Sequence, residues 1–174
     1  KYIAYLAMTI PKYESDRQRV MLYTRSISTK KELCPYWDRS PELLHWASDS
    51  SMIMAEVSDN ARHALVSIQV PSGSVGYLYF GDHFTSTGLT PLAGNGFIFG
   101  RDNFTVPHDV WVALYPGQAP YRVTAFNDDT LSQISMVVPD ELFYPGDNDE
   151  IVQAWFFKPD GWKAGVKYPL ILYM

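Results

Sequence analysis

Three apolar runs open at Val20, Leu65 and Val110, 45 residues apart each time. Each lies among short segments rich in Val, Ile, Tyr, Phe and Trp, broken by Gly, Pro, Asn and Asp, which is the pattern of strands joined by turns. The first set is Tyr2–Ala7, Val20–Arg25 and Thr29–Cys34. The second is Met52–Val57, Leu65–Val70 and Val75–Phe80. The third is Gly96–Gly100, Val110–Tyr115 and Tyr121–Phe126. A period in the forties with three or four short strands per unit is the spacing of β-propeller blades. A β-meander from a sandwich or barrel is the alternative, but a sandwich gives no reason for the 45-residue recurrence. The segment Leu44-His-Trp-Ala-Ser-Asp-Ser50 fits a blade boundary. Its Trp would pack between blades while Ser and Asp hydrogen-bond a turn backbone.

The pattern changes after about Leu131. Glu141–Pro145, a loop of turn formers at Gly146–Asp149, and Ile151–Phe157 read as a hairpin. The run Lys167–Tyr173 lacks polar alternation, as in a strand buried on both faces of a mixed α/β sheet. The fold class expected is therefore mainly β: about three blades of an incomplete β-propeller over residues 1–135, then the first strands of an α/β domain over residues 136–174. The chain opens inside a strand-like pattern and closes without a cap or polar tail, so it reads as an internal piece of a longer protein.

Charge and composition exclude several functions. The net charge is −5, with no cluster of Lys and Arg, which argues against a nucleic-acid partner. The longest clean apolar run, Leu170–Met174, is far too short for a bilayer, so no membrane partner is expected. Cys34 is the single cysteine, which rules out an internal disulfide or a four-Cys zinc site. The histidines His45, His63, His83 and His108 show no metal-ligand spacing, so no metal is expected. His45 reads as a packing or turn residue. His108 and Asp109 are adjacent and would point to opposite faces of a strand, a poor start for a catalytic pair. Cys34 reads as an inert, at least half-buried thiol. Gly94-Asn-Gly-Phe-Ile-Phe-Gly100 is not a dinucleotide fingerprint, and it reads as an Asn-Gly turn feeding an innermost strand. The acidic run Asp147–Glu150 lacks calcium-loop spacing and reads as a hairpin tip. No G-x-S-x-G elbow occurs, so no catalytic residue is assigned to this chain. Asn103-Phe-Thr105 is an N-glycosylation sequon in a loop between two expected strands.

Several stretches carry a resemblance. They are Tyr13-Glu-Ser-Asp-Arg17 with Arg19-Val-Met-Leu-Tyr23, Trp46-Ala-Ser-Asp49, and Val152-Gln-Ala-Trp-Phe-Phe-Lys-Pro-Asp-Gly161 followed by Lys167–Met174. Together they resemble the prolyl oligopeptidase family of serine peptidases, in which a β-propeller is followed by an α/β-hydrolase domain. The resemblance implies a serine exopeptidase that removes dipeptides from the N-terminus of peptides by Ser-Asp-His acyl transfer, with the propeller filtering a peptide substrate. It implies secretion, which gives Asn103 weight as a glycosylation site, and it calls for no cofactor. In such enzymes propeller acids hold the substrate's free amine. Glu14 and Asp16 lie in a family-like segment and are the substrate-binding candidates; the competing reading is a structural ion pair of Asp16 with Arg17 or Arg19 within the blade, since propeller loops carry many such pairs. A non-catalytic propeller that binds a partner, as WD-repeat or TolB-like modules do, is the alternative function. The oligomeric state stays open.

Overall fold

The computed structural model describes residues 1–81 and 84–173, and His83 lies outside the described residues. The chain is mainly β and divides into two compact units, Lys1–Asn127 and Asp128–Met174. The first unit holds three antiparallel sheets in chain order. The first sheet joins β1 (Tyr2–Ala7), β2 (Arg19–Thr24) and β3 (Thr29–Glu32). The second joins β4 (Pro41–Trp46), β5 (Met52–Asp59), β6 (Arg62–Gln69) and β7 (Val75–Tyr79). The third joins β8 (Phe84–Pro91), β9 (Phe97–Asn103), β10 (Asp109–Ala113) and β11 (Tyr121–Arg122). Among the described residues every ladder pairs strands that are neighbours in sequence.

Val20, Leu65 and Val110 fall on β2, β6 and β10, the next-to-last strand of each sheet, so the 45-residue recurrence marks equivalent strands. Two strands do not stand out in the sequence. β4 opens on a proline and carries Glu42, and β8 is rich in Thr and Ser. Because β8 comes first in its sheet, the Asn-Gly turn feeds β9, which lies between β8 and β10 and is not an innermost strand. The run Tyr121–Phe126 pairs only at Tyr121 and Arg122. Beyond them the Val123 amide still donates to the Val110 carbonyl at 2.7 Å, and then the chain turns to the carboxylate of Asp109, which accepts from the Thr124 hydroxyl at 2.7 Å and the Phe126 amide at 3.2 Å.

The second sheet has both faces covered, which explains why β5 reads as an almost unbroken apolar run although its neighbours are antiparallel. Ile53 and Ile68 pack against Val20, Leu22, Leu33 and Cys34 of the first sheet and its exit, with Trp46 alongside. Met52, Met54 and Leu65 pack against Leu89, Phe97, Phe99 and Ala113 of the third. Alternate residues of a strand serve opposite faces, so Ile53 and Met54, both fully buried, lie in different cores. Trp46 thus packs between sheets as its sequence context suggests. Ser51 donates its amide to Asp49 Oδ1 at 2.8 Å and closes the turn after β4.

The second unit carries α1 (Asp128–Leu131), a single turn, and a hairpin of β12 (Asp140–Pro145) and β13 (Ile151–Phe156). Asp147–Asp149 form the hairpin tip as one 3-10 turn, closed by the Gly146 amide on the Glu150 carbonyl at 2.7 Å. The buried strand expected over Lys167–Tyr173 is not formed. Leu170, Ile171, Leu172 and Tyr173 are 77%, 91%, 76% and 96% exposed and pair with no strand among the described residues. An apolar run becomes a strand only when a neighbour takes its backbone groups, and none lies beside it here.

Candidate functional site

A cleft of about 730 Å³ opens between the first and second sheets, lined by Leu6, Gln18, Ser40, Pro41, Glu42 and Ser58. Its walls are the end of β1, the approach to β2, the start of β4 and the end of β5. The geometry follows from Pro41. Proline has no N–H to give a ladder and suits the first position of a strand. Pro41 pairs with Val57 and is fully buried, and the register then slips before Leu44 pairs with Ala55. Glu42 and Leu43 fall in this bulge, and both are exposed. A bulge re-aims a side chain, and here it brings Glu42 to the cleft. No hydrogen-bond or ion-pair partner holds its carboxylate among the described residues.

The cleft floor is pinned one residue away on each side. Ser40 follows Arg39 and Ser58 precedes Asp59. Arg39 donates to Asp59 Oδ1 at 2.9 Å through Nε, and Tyr77 donates its hydroxyl to Oδ2. Asp59 is only 4% exposed. Burial pushes its carboxyl upward, but the Tyr77 hydroxyl and the Arg39 guanidinium outweigh it and hold it below the usual carboxylate range. Across the cleft the Gln18 amide donates to Ser40 Oγ at 3.1 Å.

Glu14 and Asp16 belong to the loop between β1 and β2, whose last residue before Arg19 is Gln18 of the cleft wall. Neither lines the cleft itself. Glu14 is exposed. Asp16 turns its Oδ2 back on the loop, accepting the amides of Ile10 at 2.7 Å and of Thr9. The Ile10 amide above all holds its carboxyl below the usual range, against a smaller opposing push from burial. The arginines beside it turn to Glu32: Arg17 bonds Glu32 Oε1 at 2.6 Å and the Trp37 carbonyl at 2.7 Å. Arg19 lies 4.0 Å from Glu32 and reaches the Met8 carbonyl at 2.8 Å.

His108 pairs through Nδ1 with Asp102 Oδ2 at 2.9 Å, while the adjacent Asp109 faces Arg122, so the two neighbours point apart. His45 Nε2 and His63 Nδ1 are buried without a hydrogen-bond partner among the described residues. Cys34 is buried, and burial pushes its thiol upward. Among the described residues no three His, Cys, Asp or Glu side chains stand close enough to hold a metal ion, and no helix is long and apolar enough to cross a membrane. Asn103 ends β9. Its Oδ1 accepts the Thr105 amide at 2.9 Å, the Thr105 hydroxyl at 3.0 Å and the Val106 amide at 2.8 Å.

No family model matches the chain. Among curated proteins it is 23% identical over 176 residues to dipeptidyl-peptidase 5 of Schizosaccharomyces pombe, covering 97% of this chain and 24% of that protein. It is 28% identical over 181 residues to a probable dipeptidyl-peptidase 5 of Aspergillus flavus, covering 100% and 24%. The resemblance to the prolyl oligopeptidase family holds. A solved acylaminoacyl peptidase in complex with Z-Gly-Gly-Phe-chloromethyl ketone shares the fold, with a TM-score of 0.78 at 17% identity over 97% of this chain and 25% of that one. The chain spans about a quarter of the length of the family relatives it matches.

Proposed function

We propose that this chain is the substrate-selecting part of a serine exopeptidase of the prolyl oligopeptidase family, acting on the free N-terminus of peptides and releasing dipeptides. In this reading the three sheets are successive propeller blades, and the second unit begins the α/β-hydrolase domain. The nucleophile, its base and the oxyanion hole belong to that domain, since the chain carries no G-x-S-x-G elbow. The peptidase names of the relatives support the reaction class. The observation that carries a role for this chain is Glu42: a carboxylate with no partner among the described residues, held on a bulge at the rim of a pinned cleft.

A substrate's terminal ammonium would meet Glu42 and be oriented for acyl transfer, with Glu14 as a second carboxylate on the adjoining loop. Asp16 contributes by fixing that loop through the amides of Thr9 and Ile10. Secretion, and a glycan on Asn103, belong to the same reading.

The test is Glu42→Gln in the full-length enzyme. A hydrogen bond to a charged group contributes roughly 1.5–3 kcal/mol, so kcat/KM on a free-amine dipeptidyl substrate should fall about 10–100-fold, mainly through KM. An N-acetylated substrate should be handled as by the wild type. Equal losses on both substrates, or none on either, would sink the assignment.

A further inference from the structure

Packing requires both members of the Asn95-Gly96 pair. Gly96 leads into β9 against the end of β10, where an added Cβ would lie 2.5 Å from the Leu114 carbonyl oxygen and 2.7 Å from that of Ala113. No side chain fits there. Asn95 has a φ of 60°, a left-handed conformation that Asn tolerates better than most residues. Its side chain is engaged at both ends. Oδ1 accepts from Ser48 Oγ at 3.0 Å and from the Asp49 amide at 3.4 Å, and Nδ2 donates to Asp49 Oδ2 at 2.6 Å. These bonds form a clasp between the turn after β4 in the second sheet and the turn before β9 in the third.

The same pair is chemically labile. Glycine has no Cβ to hinder its own amide nitrogen, so that nitrogen can reach the side-chain carbon of a preceding asparagine. We infer that Asn95 is a deamidation site gated by the clasp, and that its product undoes the clasp. Gly96 is buried in the closed state, so the reaction follows opening of the clasp: the Gly96 amide then gives its proton to solvent base, and its nitrogen bonds Cγ of Asn95. The Cγ–Nδ2 bond breaks and ammonia leaves, forming a succinimide. Water then opens the ring at either carbonyl, giving aspartate or its β-linked isomer. One water enters, one ammonia departs, and nothing is oxidised or reduced.

While the clasp is closed, Ser48 and Asp49 hold both ends of the carboxamide and keep Cγ from the attack position. After the reaction a carboxylate replaces the donor that Asp49 needs. Hydrogen bonds donated by Ser51 hold the Asp49 carboxyl below the usual range, so at neutral pH two negative charges would meet where a charge-assisted bond stood. This inference is independent of the peptidase reading.

The test follows ammonia loss in the intact protein in mildly alkaline buffer. The tryptic peptide from His63 to Arg101 has Asn95 as its one asparagine, so the product is located directly. Folded Asp49→Ala should deamidate faster than folded wild type by about fivefold or more, and the two should be equal in urea. Equal rates in the folded state would overturn the gate. Asn95→Asp should lower the melting temperature, and the swapped pair Asp49→Asn with Asn95→Asp should restore it, because an amide again faces a carboxylate. An unchanged melting temperature in Asn95→Asp, or failure of the swap to rescue, would overturn the claim that the product opens the clasp.

Discussion

Three buried carboxylates show how a polar side chain is accommodated inside a β core. Glu56 is 4% exposed and accepts the Leu89 amide at 2.7 Å, so a residue of the second sheet completes the backbone of the third where β8 slips register between Thr87 and Thr90. Glu56→Ala leaves that amide buried and unpaired, which should cost about 1–3 kcal/mol in urea unfolding. Glu56→Gln keeps an acceptor oxygen and should recover most of the loss. Equal destabilisation by both would show that the amide does not depend on this oxygen. Asp109 is held below the usual carboxylate range by the Thr124 hydroxyl, and by Arg122, against the opposing effect of burial. Asp59 is lowered as well. A carboxyl lowered in the folded state stabilises the fold above its unfolded value of about 3.9, and that stabilisation is lost as pH falls through the folded value. Below that unfolded value the unfolded chain binds more protons, so stability rises with pH there and levels off above it. Urea midpoints of the full-length protein across that acid range should show this slope, and Asp109→Asn should flatten it. A wild-type midpoint that ignores pH would contradict the ionised pairs.

At the scale of elements, what the sequence made legible was whatever aromatic and β-branched residues encode. β2, β6 and β10 carry Val20, Leu65 and Val110 in apolar settings, and the hairpin β12–β13 declares itself through Gly146-Asp-Asn-Asp149. β4 and β8 stayed hidden because their residues read as turn material: a proline and a glutamate in one, threonines and a serine in the other. That omission hid the cleft too, since Pro41 and Glu42 belong to β4. The adjacent Leu43 and Leu44, out of step with strand alternation, were the one local sign of a bulge. The loop carboxylates Glu14 and Asp16 were legible as charges, but not the turning of Asp16 onto the Thr9 and Ile10 amides, which depends on how the loop folds back. Contacts between elements are likewise silent in sequence. Gly73 in the β6–β7 turn has a φ of 82°, and an added Cβ would lie 1.5 Å from the Leu33 carbonyl oxygen at the exit of the first sheet. Gly73→Ala should therefore lower stability by about 3 kcal/mol or more, through overpacking and an unfavourable backbone region. Denaturant unfolding that reports less than half of this would mean that the two sheets separate easily at this point.

Over the whole molecule, protection is uneven. Residues 157–173 form neither helix nor strand, whereas β5 and β6 lie between two packed faces. Segments without buried contacts open at little cost and are cut first. Brief trypsin treatment of the 174-residue chain should cleave after Lys163 and Lys167 well before Arg62 or Arg101, read by mass spectrometry of the released pieces. Cleavage at Arg101 first would mean that the third sheet, not the C-terminal stretch, is the weak part. The ladders between sequence neighbours carry a consequence for synthesis. A chain whose pairings are local needs no distant partner to begin folding, so each sheet can form as it leaves the ribosome. The middle sheet is the exception in one respect: until translation has passed Ala113, the face bearing Met54 and Leu65 lacks its full cover of Leu89, Phe97, Phe99 and Ala113. Nascent chains halted between β7 and β10 are therefore the ones that should recruit chaperones.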